Sequence, residues 1–260
     1  MRLIARPYKF LRTKANRWSS KIVKRRISFV IAGTIKGGTT TLDWYLRNHP
    51  QIGMCRVKEA HFFNNDDFFQ GSKPLYEKYH EQYTEVWLRK ILGEATPNYM
   101  SSPRAARRLY EYNPEMKLIF SLRNPVSRAF SHWNMNRQKG TESLPFGEAI
   151  RREMSGNASR YVSVGLYAGQ LECFWQFFPK EQTLIFQSEE LRNNHHKVVN
   201  RVLRFIGLRE RKSIPMIEFH KRSYEAPMEE EDRKMMRQIF RPEIEKLEKL
   251  LNWDCSNWLE

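Results

Sequence analysis

The sequence lacks the features that mark membrane-spanning and disulfide-stabilised proteins. No stretch of its 260 residues approaches the roughly 20 consecutive apolar residues that a bilayer-spanning helix requires. No apolar segment followed by a small-residue cleavage site occurs near the first residue. The three cysteines, Cys55, Cys173 and Cys255, are an odd number at wide spacing, which fits neither a disulfide framework nor a zinc site. We therefore expect a soluble, cytoplasmic protein without a bound metal.

Positive charge is abundant but unevenly distributed. The formal net charge is +16, and residues 1–26 contain ten Lys and Arg residues and no acid. Subtracting these ten charges leaves +6 on residues 27–260. We assign residues 1–26 to a basic N-terminal extension, which is either solvated or in peripheral contact with an anionic surface. Residues 27–260 are long enough for one domain, whose modest charge gives no reason to expect specific nucleic-acid binding.

Apolar runs and helical spacing alternate along this domain. Strands are predicted over residues 27–33, 51–55, 117–122 and 182–187. Helices are predicted over residues 39–48, 103–112, 126–137, 165–178 and 189–206, with a helix pair bent at Pro242 over 228–251. The alternation predicts a single α/β domain with a central parallel sheet flanked by helices.

The segment Gly33-Thr-Ile-Lys36-Gly37-Gly38-Thr39-Thr40 joins the first predicted strand to the first predicted helix. In this context a glycine-rich loop directs backbone N–H groups at a phosphate. The nucleotide triphosphatase pattern places lysine directly after the second glycine, but Thr39 stands there and the lysine is Lys36. The loop therefore fits a ligand with one phosphate and one further charged group.

A second polar segment follows the predicted strand 117–122. Arg123 stands where a kinase or related nucleotide-binding enzyme would place an aspartate for Mg²⁺. Ser131 comes about two helical turns later. A guanidinium and a hydroxyl suit a second phosphate, although a surface arginine paired with an acid is the alternative.

These two segments resemble the motifs of the PAPS-dependent sulfotransferase family, where PAPS is 3′-phosphoadenosine 5′-phosphosulfate. The phosphosulfate loop resembles residues 34–42, and the 3′-phosphate motif resembles Ser121-Leu-Arg-Asn-Pro-Val-Ser-Arg-Ala-Phe-Ser131. Residues 57–63 and 93–99 resemble the Golgi heparan-sulfate branch and its bacterial relatives. The likeness covers most of the chain from residue 27. It departs at Ala60, where that branch usually has proline, and in lacking the cysteine-bridged region of the secreted enzymes.

The resemblance implies a P-loop-like fold and sulfuryl transfer from PAPS, without a metal, to a hydroxyl or amine. The product nucleotide would be 3′,5′-adenosine bisphosphate. The residues it implies for the 5′-phosphosulfate are Lys36, Gly37, Gly38, Thr39 and Thr40. Those for the 3′-phosphate are Arg123 and Ser131, with Arg222 closing the nucleotide site.

The resemblance assigns the proton acceptor to Glu59, in the loop after the predicted strand 51–55. His61 is the rival base, or a group that orients the acceptor substrate. Lys58 either neutralises Glu59 or contacts the sulfuryl oxygens. For Glu94, a structural role and a role in acceptor binding remain equally open. The phenylalanines of residues 62–69 either line an acceptor cleft or pack in the core.

The acceptor is left open between a small polar molecule, such as a secondary metabolite, and a glycan. Two other functions also remain. A nucleotide or small-molecule kinase shares the strand-loop-helix arrangement but would require Mg²⁺. A non-enzymatic polyanion-binding protein would use the basic extension of residues 1–26.

Overall fold

The computed structural model describes residues 25–83, 86, 88–157, 160–217, 224 and 227–259. This part of the chain contains a five-stranded sheet in the order β2-β3-β1-β4-β5, with every neighbouring pair parallel. The strands are β1 (Phe29–Gly33), β2 (Ile52–Met54), β3 (Ile91–Ala95), β4 (Lys117–Leu122) and β5 (Thr183–Gln187). The helices are α1 (Thr39–Arg47), α2 (Tyr76–His80), α3 (Pro103–Tyr112), α4 (Pro125–Gln138), α5 (Phe146–Met154), α6 (Tyr167–Trp175), α7 (Ser188–Asn193), α8 (His195–Phe205) and α9 (Glu230–Leu251). The predicted α/β domain with a parallel sheet flanked by helices is confirmed.

The two faces of the sheet belong to two hydrophobic cores. Alternate residues of β1 point to opposite sides, as the pleat of a strand requires. Phe29 and Ile31 pack with α1 and α8, while Val30 and Ala32 pack with α3, α4, α6 and α9. The central strand is therefore buried on both faces, which explains why its sequence is a continuous apolar run.

Two predictions for helices are wrong in the number of helices, and the helix predicted over 165–178 is shorter in the structure, where α6 is Tyr167–Trp175. The predicted helix over 189–206 is two helices, because Asn194 adopts φ −143° and its side chain accepts a hydrogen bond from the Lys197 N–H as the cap of α8. The predicted bent pair over 228–251 is the single helix α9, which passes through Pro242. Phe240 and Ile244 on either side of the proline are buried, so packing against the core holds both halves.

The carboxyl ends of the parallel strands meet at one edge of the sheet, where ligands bind in open α/β folds. The loops that follow β1, β2, β3 and β4 all begin there. Among the helices that the structure describes, none is long and apolar enough to cross a membrane.

Candidate active site

Two glycines shape the loop between β1 and α1. Gly38 has φ 83° at the start of α1, a left-handed conformation that favours glycine. A Cβ atom on Gly37 would lie 2.2 Å from the backbone oxygen of Ser121, so a larger residue does not fit without a shift of the backbone. Because α1 begins at Thr39, the amides of Thr39 and Thr40 have no intrahelical acceptor and are available to an anion.

The same loop is fastened to β4 through Ser121. The Thr34 N–H donates to the Ser121 carbonyl at 3.1 Å, and the Ser121 hydroxyl donates to the Gly37 carbonyl at 2.6 Å. Sequence reasoning missed this contact, although a hydroxyl inside an otherwise apolar strand was a visible signal. Since Arg123 follows two residues later, Ser121 joins the two segments that the sequence assigned to phosphate binding.

Lys36 reaches from this loop towards α4. Its Nζ lies 3.9 Å from the Met135 sulfur. Burial lowers the pKa of His132, also on α4, to about 3, and the positive charges of Arg128, Lys36 and two further cations act in the same direction. Lys36 thus lies in a region of positive potential, which an anionic ligand would relieve.

Arg123 and Ser131 lie at the end of β4 and within α4. Arg123 is the first residue after β4, and its carbonyl accepts a hydrogen bond from the Tyr167 hydroxyl at 2.8 Å. Ser131 is buried on α4, which the Asn124 side chain caps. Because β4 pairs directly with β1, Arg123 lies at the same sheet edge as the glycine loop. Arg222, assigned to the same nucleotide, lies outside the described residues.

Glu59 lies between two potential cations. Its Oε1 is 2.5 Å from the Lys58 Nζ, and its Oε2 is 3.9 Å from the His61 Nε2. The carboxylate is 40% exposed, so an acceptor arriving from solvent has access to it. The structure therefore brings Lys58, Glu59 and His61 together, as the sequence predicted. Their catalytic roles remain predictions.

Three of the candidate site residues have a left-handed backbone conformation. Four non-glycine residues in the described part of the chain have positive φ, and three of them are Lys36 (67°), Glu59 (62°) and His61 (52°). Such residues are unfavourable by about 1–3 kcal/mol each and persist where the surrounding structure holds them, often at functional sites. Their concentration in these two loops supports a single site.

The Glu59 loop and the glycine loop are held by adjacent strands. The Glu59 N–H donates to the carbonyl of Ala95, the last residue of β3, at 2.9 Å. β3 pairs with β1, and Met100, just beyond β3, covers Gly33 so closely that a Cβ there would lie 2.5 Å from the Met100 Cβ. The carboxylate and the lysine thus belong to loops at neighbouring positions along one sheet edge.

The structure decides two questions that the sequence left open. Glu94 has no exposed surface and hydrogen-bonds only within the protein, so it does not contact an acceptor in this conformation. Phe62 and Phe63 are buried; Phe62 stacks with Tyr79 and Phe63 meets Tyr99 edge-to-face, which makes both core residues. Phe68 and Phe69 pack against the same core.

Among the described residues, no group of three or more His, Cys, Asp and Glu side chains is placed to hold a metal ion. The loops and helices that begin at this edge carry a lysine, an arginine, threonine and serine hydroxyls and helix-start amides. That donor set suits an anion with several phosphate or sulfate oxygens.

Comparison with known families gives one match to a family model, described as a sulfotransferase domain, over residues 26–248. Human "heparan sulfate glucosamine 3-O-sulfotransferase 6" is 34% identical over 188 residues, which are 69% of this chain and 52% of that protein. "Membrane-associated sulfotransferase kil1" of Dictyostelium discoideum is 41% identical over 111 residues, 43% of this chain and 23% of that protein. The chain thus spans about half the length of the first relative and a quarter of the second.

A solved structure shares the fold over nearly the whole chain. The crystal structure of a sulfotransferase from Alicyclobacillus acidocaldarius superposes with a TM-score of 0.78 at 31% sequence identity. The match covers 91% of this chain and 100% of that one. A sulfotransferase domain from the curacin biosynthetic pathway, at 13% identity and a TM-score of 0.53, shares the fold alone.

Proposed function

The chain belongs to the sulfotransferase domain family, and from that premise we propose that it transfers the sulfuryl group of PAPS to a hydroxyl or amine of an acceptor. The observation that carries the proposal is that Lys36 and Glu59 share an unusual backbone conformation and lie in loops at the same edge of the sheet. Both have left-handed backbone conformations, in loops at neighbouring positions of one sheet edge. One supplies positive charge and the other a carboxylate open to solvent.

We assign the donor nucleotide to the residues that the sequence singled out. Lys36, Gly37 and the amides of Gly38, Thr39 and Thr40 would hold the 5′-phosphosulfate, with the Gly37 amide itself bonded to the Thr34 carbonyl. Arg123 and Ser131 would hold the 3′-phosphate, and Arg222 is assigned to the same nucleotide. The orphan amides at the start of α1 are the feature that fits a closely approached anion, and the lack of space for a Cβ at Gly37 keeps the loop packed against β4.

PAPS, when bound, supplies the activated sulfuryl group. The acceptor oxygen or nitrogen forms a new bond to sulfur, while the bond from sulfur to the phosphate oxygen breaks and its electron pair leaves on that oxygen. The proton of the acceptor passes to Glu59. Lys36 offsets the negative charge that develops on the leaving oxygen, and Lys58 and His61 orient the carboxylate and the acceptor.

We propose a glycan or a small polar metabolite, including a secondary metabolite, as the acceptor class, and a cytoplasmic location. The relatives named for heparan sulfate support testing glycans first. The relative named as membrane-associated gives a reason to examine the location directly.

Titration calorimetry with 3′,5′-adenosine bisphosphate tests the donor assignment without knowledge of the acceptor. We expect binding that is stronger than that of 5′-AMP or ATP and that weakens by about 2 kcal/mol in Arg123→Ala, since a charge-assisted contact is lost. Arg107→Ala, which removes a mostly exposed arginine paired with Glu111, is the matched control and should bind normally.

Preference for ATP, or indifference to the 3′-phosphate, would reject the assignment. Dependence of any turnover on Mg²⁺ would favour the kinase instead. Binding of polyanions without nucleotide binding would favour the non-enzymatic alternative.

A further inference from the structure

Glu94 on β3 is a buried carboxylate to which the proposed reaction gives no role. Its Oε1 accepts hydrogen bonds from the Thr96 and Tyr99 hydroxyls, both at 2.6 Å. Its Oε2 accepts from the Tyr79 hydroxyl. Burial raises the pKa of Glu94, and these three hydroxyl donors oppose the rise. Burying a carboxyl group costs free energy, which the hydrogen bonds from these donors must offset. Such an arrangement suggests that the donors have a structural or functional role.

One of the three donors connects Glu94 to the loop that carries Glu59 and His61. The Tyr99 hydroxyl accepts a hydrogen bond from the Phe63 N–H at 3.3 Å. A hydroxyl has one proton to donate, and donating it to Glu94 leaves its lone pairs for the Phe63 amide. Glu94 therefore determines which way the Tyr99 hydroxyl faces.

The segment 59–63 is thus fixed at one end by the last residue of β3 and at the other by the short 3-10 turn that follows this strand. At one end the Glu59 N–H bonds the Ala95 carbonyl, and at the other the Phe63 N–H bonds Tyr99. Arg108 of α3 adds a third contact, from its Nη1 to the Phe63 carbonyl at 3.1 Å. Between these anchors lie Glu59 and His61 with positive φ, a conformation that the surroundings must hold in place.

We propose that Glu94 is a positioning residue: by orienting the Tyr99 hydroxyl it anchors the Phe63 amide and so holds Glu59 and His61 in their left-handed conformations. The functional meaning of this anchor rests on the proposed role of Glu59. The anchor itself is a property of the fold that is measurable without donor or acceptor.

Four variants of the full chain separate positioning from a general contribution to stability. Glu94→Leu removes both acceptors, and Tyr99→Phe removes the hydroxyl that holds Phe63. Glu94→Gln is the conservative rescue. Its amide oxygen can accept hydrogen bonds from the Thr96 and Tyr99 hydroxyls, while its amide nitrogen donates to the Tyr79 hydroxyl oxygen. Tyr83→Phe is the matched control, since its hydroxyl donates to Tyr79 at 3.2 Å and does not contact residues 59–63.

Amide hydrogen exchange at Phe63, measured against Ile119 in the interior strand β4, is the first readout. We expect exchange at Phe63 to rise about tenfold more than at Ile119 in Glu94→Leu and Tyr99→Phe, as loss of one anchoring hydrogen bond predicts. In Glu94→Gln and Tyr83→Phe the exchange rates at Phe63 and Ile119 should change by the same factor. The second readout is the imidazole NMR signal of His61, assigned with His61→Gln, which should shift in the first pair of variants and stay in the second.

Equal changes at Phe63 and Ile119 in Tyr99→Phe and Glu94→Leu would overturn the proposal, as would a His61 signal that moves as far in Tyr83→Phe as in Tyr99→Phe. If Glu94→Leu does not fold, Tyr99→Phe and its control decide the question alone. Affinity for 3′,5′-adenosine bisphosphate is measured in parallel. A native chain that does not bind it refutes the proposed function while leaving the exchange result to judge the anchor.

Discussion

At the scale of single residues, Glu59 and His61 compete for the role of proton acceptor. Glu59 contacts Lys58 directly, whereas His61 is 3.9 Å from the Glu59 carboxylate and has Asn64 as a polar neighbour at 3.2 Å. The carboxylate therefore has a cation on one side and an imidazole on the other. This arrangement favours Glu59 as the base and His61 as the group that orients it.

Replacement of Glu59 distinguishes the two residues. We expect Glu59→Gln, which keeps an oxygen for Lys58 but removes the proton acceptor, to slow sulfuryl transfer by about 10²–10⁴-fold. Affinity for 3′,5′-adenosine bisphosphate should stay unchanged. Release of the nucleotide product in an acceptor screen provides the measurement. A larger loss in His61→Gln than in Glu59→Gln would transfer the role of base to the histidine.

His132 provides a test that needs no acceptor. Its pKa is lowered from 6.5 to about 3 by burial and by Arg128, Lys36, Arg160 and Lys139. Below pH 6.5 the unfolded chain therefore binds a proton that the folded chain does not, and stability falls as the pH decreases towards 3. Between about pH 7 and about pH 5 this one group should lower the free energy of unfolding by up to about 2 kcal/mol.

Urea denaturation of the native chain and of His132→Gln at both pH values measures this difference. The native chain should lose more stability on acidification than the variant, because the other titrating groups are common to both. Parallel losses would mean that His132 is solvated and that the positive region around Lys36 is weaker than the geometry implies.

At the scale of structural elements, the glycine loop depends on its contact with β4. A methyl group on Gly37 would collide with the Ser121 carbonyl, which is backbone and has little room to move. We expect Gly37→Ala to weaken binding of 3′,5′-adenosine bisphosphate at least tenfold, because displacement of the loop misaligns its amides. Gly169→Ala is the matched control: its Cβ would have no heavy atom within 4 Å, and it lies inside α6. Normal binding by Gly37→Ala would show that the loop adapts.

The sequence predicted those elements whose pattern is local. Both bounds of α3 and of β4 were predicted correctly, because Pro103 starts the helix and an uninterrupted apolar run defines the strand. β3 was missed, since Gly93 and Glu94 lie inside it and both residue types are rare in strands. Gly93 is there because Phe29 of β1 fills the space that a side chain would take, which only the paired sheet reveals.

The segments of the candidate site were likewise predictable where their pattern is local, and contacts between distant segments were not. Lys36, Arg123 and Glu59 were singled out as candidates because they follow strands or stand in recognisable segments, and the structure brings their segments to one edge of the sheet. Ser121 and the anchor through Tyr99 were not, because each is a contact between segments far apart in the chain. The sequence does not show which groups inside a core donate hydrogen bonds to one another.

At the scale of the whole molecule, charge is concentrated at one end. The structure shows that contacts of the domain begin before residue 27, because the Arg25 guanidinium donates to the Lys90 carbonyl at 2.6 Å. Residues 1–24 contain eight of the ten cations of the extension, so their removal lowers the net charge from +16 to +8. A deletion that ends at residue 24 therefore tests the extension without disturbing that contact.

We expect the deletion to abolish binding to vesicles that contain phosphatidylserine and to leave the affinity for 3′,5′-adenosine bisphosphate unchanged. Each Lys or Arg near an anionic membrane contributes about 1 kcal/mol, so losing eight removes most of the attraction, while the nucleotide residues all lie beyond residue 33. Vesicles of phosphatidylcholine alone are the control for non-electrostatic binding, and sedimentation measures both. Equal sedimentation of the full and shortened chains would assign any membrane contact to the domain, and a loss of nucleotide binding would make the extension part of the site.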